Sequence, residues 1–179
     1  MRLRTTLATL GAALLAACSA TVPRAPATVA TKVDLQRFMG DWYVIANIPT
    51  FPEKGAHNAV ERYTLDPDGS IAVNFSFNAD AFDGPLKTYT PRGFVLDSTN
   101  ALWGMRFVWP IKADYRISYV ANDYSLTVIG REARDYVWIM ARTPAMPAAE
   151  YAKILQQVTA QGYDAQRIEK VPQRWSAPL

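Results

Sequence analysis

The chain has 179 residues, 19 of them basic and 16 acidic, for a net charge of +3. Two of those charges, Arg2 and Arg4, stand in an N-terminal stretch that carries the marks of a removable signal; three minus those two leaves +1, which excludes the basic face a nucleic-acid partner needs. A single cysteine and a single histidine exclude an intrachain disulfide and a His/Cys metal cluster, and there is no nucleophile–base pair and no glycine-rich phosphate loop.

Arg2 and Arg4 are followed by an uncharged, mostly apolar run from Leu7 to Ala17. A positive start, a short apolar stretch and small residues before a cut describe an export signal over 1–17. The run is too short to span a bilayer, which takes about 20 apolar residues. It ends in Leu15-Ala16-Ala17-Cys18, which resembles the bacterial lipobox. That resemblance implies a diacylglycerol on the Cys18 sulfur and a membrane anchor built from acyl chains, each buried methylene contributing about 0.8 kcal/mol. It further implies that Ser19, in the position where aspartate would favour retention at the inner membrane, directs the protein to the outer membrane of a Gram-negative bacterium, lipid-anchored and facing the periplasm.

Residues 18–32, rich in Ser, Thr, Ala and Pro, have no periodic apolar pattern and predict a flexible tether. The stretch 33–175 has the size of one domain. Period-two alternation dominates it. Ile71, Val73, Phe75 and Phe77 alternate with small or polar residues, and Tyr115, Ile117 and Tyr119 do the same. Turn signals separate such runs, among them Asp66-Pro67-Asp68-Gly69 and the polar tip Gly130-Arg131-Glu132-Ala133-Arg134-Asp135, taken as solvated. Eight strands are predicted, at about 42–49, 58–66, 70–78, 86–97, 101–109, 113–121, 124–131 and 135–142. Short turns between them indicate an all-β fold, an eight-stranded antiparallel up-and-down β-barrel that removes its own edges. After Pro147 the spacing changes: Tyr151, Ile154, Leu155 and Val158 fall on one face of a helix over about 148–161, with Gly162 at its end. A short final strand at about 166–171 follows.

Three segments then carry a family resemblance. Gly40-Asp41-Trp42-Tyr43 is similar to the G-x-W that opens the first lipocalin strand, after a stretch at 34–39 that looks like the family's 3₁₀ plug. Asn122-Asp123-Tyr124 resembles the T-D-Y turn, with Asn in place of Thr. Arg142, in Trp138-Ile139-Met140-Ala141-Arg142-Thr143-Pro144, resembles the arginine that ends the eighth strand. In this order and with the helix following, they identify the chain as similar to the lipocalins, most closely the bacterial outer-membrane lipoprotein, apolipoprotein D-like branch. The resemblance implies that Gly40, Trp42, Asp123, Tyr124 and Arg142 are structural, with the Arg142 guanidinium on the Trp42 indole.

Inward alternation from Trp42 predicts an interior of Val44, Ala46, Tyr63, Leu65, Val73, Phe75, Phe77, Tyr89, Val95, Trp103, Met105, Phe107, Tyr115, Ile117, Tyr119, Leu126, Val128, Tyr136, Trp138 and Met140. Tyr43, Ile45, Val137 and Ile139 fall outside, where the helix covers strands one and eight. The candidate ligand residues are Tyr63, Val73, Phe75, Phe77, Tyr89, Met105, Phe107, Tyr115, Ile117, Tyr119, Trp138 and Met140. Tyrosine hydroxyls among apolar walls suit an amphiphile, a fatty acid or lysophospholipid, with its head toward the loop at 49–57. That loop carries the exposed Phe51 and the lone His57; Trp109 and Ile111 tip another loop where lipid contact is plausible. No cofactor and no metal is implied, and a homodimer is left open. The rival readings are a lipocalin-type enzyme on a lipophilic substrate and a barrel filled by its own side chains.

Overall fold

The computed structural model describes residues 25–175; the signal segment 1–17 and Cys18 lie outside the described residues. Asp34 begins the domain, its carboxylate accepting from the amides of Gln36 and Arg37 and so capping a single turn, α1 (Leu35–Phe38). That turn is α-helical rather than the expected 3₁₀.

The strands follow as β1 (Gly40–Ile48), β2 (Ala56–Leu65), β3 (Ile71–Ala79), β4 (Leu86–Tyr89), β5 (Arg92–Val95), β6 (Leu102–Val108), β7 (Ile111–Val120), β8 (Leu126–Gly130) and β9 (Val137–Ala141). All pairings are antiparallel, each strand with the next except that β4 and β5 both lie on β3, and β9 returns to β1, Tyr43 opposite Ala141 and Ile48 opposite Val137, which closes the barrel. The single strand expected at 86–97 is two, β4 and β5, because Pro91 has no N–H to donate to a ladder. β4 pairs with β3, whereas β5 pairs with both β3 and β6. Helix α2 (Ala148–Ala160) packs outside, and a two-residue strand β10 (Glu169–Lys170) adds to β1.

Two cores result. The interior one holds Trp42, Val44, Tyr63, Ile71, Val73, Phe77, Trp103, Met105 and Ile117. The exterior one lies beneath α2, where Ile154 and Val158 meet Ile48, Val137 and Ile139, with Tyr151 at its edge. This is the covering of strands one and eight that the sequence predicts.

Five residues expected inside are found in or against that exterior core: Ala46, Tyr119, Leu126, Val128 and Tyr136, the last of which also reaches the interior cavity. The cause lies in two bulges. The β1–β9 register shifts between Val44 and Ala46, and the β7–β8 register shifts between Ile117 and Tyr119. One inserted residue flips every later side chain to the opposite face. Ala46 and Tyr119 follow those bulges. On β8 apolar residues stand on both faces, Leu126 and Val128 on one and Ile129 beside Thr127 on the other, so alternation gave little contrast; Ile129 is inside. The C-terminal segment closes the β1 bulge from outside, Gln173 Nε2 donating to the Val44 carbonyl at 2.8 Å and the Ala59 carbonyl at 3.0 Å.

The segment expected as a tether is tied down from Ala25 onward. The Ala25 carbonyl accepts from Arg134, the Ala27 amide donates to Glu132, and the Ala30 amide donates to Ile117.

Candidate functional site: a closed floor, an apolar cavity and an open rim

One end of the barrel is sealed. Trp42 is fully buried and its Nε1 donates to the Phe38 carbonyl at 2.8 Å. The Arg142 guanidinium lies 3.8 Å from the Trp42 ring centroid. Its nitrogens donate to the carbonyls of Asp41 and Arg37, both at 2.7 Å, of Phe38 at 3.1 Å and of Tyr124 at 3.3 Å. One planar cation thus joins α1, β1, the turn after β7 and the end of β9. Tyr124 takes φ +62° in that turn, and its hydroxyl accepts from the Asp34 amide at 2.7 Å. Asp123 accepts from Ser125, which shapes the turn. Gly40 takes φ +94°, and a Cβ there would meet Arg142 at 3.4 Å. The expected structural residues therefore assemble as one floor.

Above it lies a cavity of about 190 Å³. Six of the expected ligand residues form its wall: Phe75, Tyr89, Met105, Phe107, Tyr115 and Trp138. Tyr63, Val73, Phe77, Ile117 and Met140 are in the interior core but not on the wall. Tyr63, Val73, Ile117 and Met140 lie toward the floor, and Phe77 backs the wall against Phe75 and Tyr89. Tyr119 is outside, under α2, for the reason given above. Tyr136, also expected inside, is on the wall.

The wall contains charged groups that alternation did not single out. Glu61 stands opposite Trp42 on one side and Phe75 on the other, so its side chain shares their inward face. Burial pushes its carboxyl up to about 7, against the Tyr63 hydrogen bond, with the Glu53 charge adding to the rise. The Tyr63 and Tyr115 hydroxyls hydrogen-bond each other; burial raises both well above the usual phenol range, and the Glu61 charge adds to it. The signal for Glu61 was present in the sequence, since it stands two residues before Tyr63.

At the open end, the loop between β1 and β2 folds as a 3₁₀ turn over Phe51–Glu53. Its Glu53 is buried and accepts from the Thr50 amide at 3.0 Å, from Asn47 at 3.2 Å and from Trp138 Nε1 at 3.2 Å. Burial raises its pKa, with these bonds opposing the rise. The Thr50-x-x-Glu53 spacing, a capping box with Pro52 in its first turn, is the sequence signal for this clamp. The β8–β9 tip is not the solvated turn expected. Arg134 is buried, donating to the carbonyls of Gln161 and Ala25. Arg131 lies on the cavity wall, its Nη1 on Asp135 at 3.0 Å and its Nε buried without a hydrogen-bond partner. His57 is off the cavity wall, edge-on to Phe82 at 4.8 Å. Among the described residues no group of acidic, His or Cys side chains is arranged to hold a metal.

A closed antiparallel barrel with a plugged floor, an interior cavity and one external helix defines a calyx-type binding fold. A family profile described as a lipocalin-like domain matches residues 33–173, and the chain belongs to the lipocalin family. It is 30% identical over 156 residues to temperature-induced lipocalin-1 of Arabidopsis thaliana, with 82% of each chain covered. It is 29% identical over 175 residues to outer membrane lipoprotein Blc of Citrobacter freundii, covering 97% of this chain and 98% of that one. Insecticyanin of the tobacco hornworm Manduca sexta has the same fold, with a TM-score of 0.64 at 16% identity over 85% of this chain and 87% of that one.

Proposed function

We propose that this protein is a lipid-anchored envelope lipocalin that binds a small amphiphile, a fatty acid or lysophospholipid, and stores or carries it. The observation that carries the reading is the cavity itself: a largely apolar wall that also carries Arg131, so that the chain of an amphiphile fills the apolar space while its anionic head meets a guanidinium already paired through Nη1 with Asp135. Ligand pockets commonly measure about 300–1,000 Å³, so this one, at about 190 Å³, suits a chain of medium length or the inner part of a longer one. The relatives named outer membrane lipoproteins support the envelope setting.

The exit of the chain supports a mouth turned toward the membrane. Ala25 and Ala27 are held at the rim by Arg134 and Glu132, and six residues separate Cys18 from Ala25, a reach of at most about 25 Å. The exposed Phe51, Leu86, Phe107, Trp109 and Ile111 stand at that same end. An acylated Cys18 would hold these side chains against the bilayer.

The test is equilibrium binding of medium- and long-chain fatty acids and of lysophospholipid to the delipidated protein, followed by Trp fluorescence, since Trp138 is on the wall. Micromolar affinity is expected, with Arg131→Met weakening it about tenfold. Absence of binding by every one of these amphiphiles leaves a filled barrel and ends the reading.

A further inference from the structure

Glu61 is unexplained by a cavity that receives only a hydrocarbon tail. Its carboxyl faces the cavity one inward step above Tyr63, close to the floor, between Trp42 and Phe75. No cation pairs with it among the described residues. Arg142, the cation of the floor, spends its donors on four backbone carbonyls.

Hydrogen-bond supply shows what is missing. A carboxylate offers about four acceptor sites and no donor, and each tyrosine hydroxyl offers one proton and two lone pairs. Tyr63 and Tyr115 spend one of their two protons on each other, which leaves one for Glu61. The cluster is short of donors. A ligand carboxylate, phosphate or ester turned inward would add acceptors to acceptors. A methyl terminus would leave the carboxyl unsatisfied. A hydroxyl supplies the missing proton without bringing a second charge out of water, which an ammonium would do at a cost of several kcal/mol.

We propose that Glu61, Tyr63 and Tyr115 form a second polar subsite at the inner end of the cavity, and that it takes the hydroxyl of an acyl chain hydroxylated at or near its far end. The inference rests on the amphiphile-binding reading above. It makes the preferred ligand polar at both ends: anionic at Arg131 by the rim and hydroxylated at Glu61 by the floor.

The test compares decanoic and dodecanoic acids with their ω-hydroxy analogues, binding each to the delipidated full protein at pH 8, above the raised value of the Glu61 carboxyl. The wild type is expected to bind at least one hydroxy acid tenfold or more tightly than its unsubstituted partner. Glu61→Leu is expected to reverse that order, and Tyr115→Phe to reduce the preference several-fold, so that a Glu61→Leu chain that fails to fold still leaves two measurements. Equal affinities for both members of each pair in the wild type, or an unchanged preference in Tyr115→Phe or in a folded Glu61→Leu, overturn the subsite while leaving the amphiphile reading in place. Failure of all four acids to bind overturns both.

Discussion

Arg142 shows how much one side chain can hold together. It stacks on Trp42 and satisfies four carbonyls where α1, β1, the turn after β7 and the end of β9 meet to seal the barrel. Arg142→Ala is expected to lower stability by about 1–3 kcal/mol, from the lost stacking and the carbonyls left without a donor. Denaturant unfolding measures this, and ligand affinity per folded molecule should stay within a factor of two, because the arginine is not on the cavity wall. Residues of this kind were legible in the sequence, since Gly40, Trp42, Tyr124 and Arg142 are read by type and spacing. Glu61 and Arg131 were not singled out; alternation reaches Glu61, two residues before Tyr63, whereas the expected phase of β8 turned Arg131 outward. A charge flanked by other charges, as in Glu61-Arg62 and Arg131-Glu132, reads as a solvated surface until the cavity beside it is seen.

Among the elements, α2 was readable because its apolar residues follow the period of a helix in a chain otherwise of period two. Its docking on Ile48, Val137 and Ile139 makes Ile154, 3% exposed, the contact to break. Ile154→Asp is expected to cost about 3 kcal/mol or more, because a carboxylate would be buried without a partner, and the loss should appear as a marked fall in Tm. An unchanged melting temperature would mean that the helix does not hold the barrel. The strands were legible in number and order, but not in the phase of their later residues. A bulge is one extra residue with no compositional mark, so Ala46 and Tyr119 could be placed only by register. Pro91 did carry a visible mark, and it is where the fourth barrel strand divides.

For the molecule as a whole, the decisive arrangement is that Ala25 is held at the rim and the barrel opens at that same end. Cys18→Ser is expected to release the protein into the soluble fraction, or to leave its signal uncut, without changing the fold of 33–173; fractionation with intact-mass measurement checks this. A mature soluble form cut elsewhere would refute the anchor. The ring that makes the cavity also has an order in time. Most of its ladders join strands that are neighbours along the chain, but closure pairs β1 with β9, and the floor waits for an arginine 105 residues after the carbonyl of Arg37 that it binds. Contacts of such long range form slowly, in about milliseconds to seconds for β-barrels of this kind. A chain emerging N-terminus first can lay down its hairpins in turn, yet it has neither floor nor enclosed cavity until Arg142 arrives. The capacity to hold a ligand is therefore acquired all at once, at the last strand.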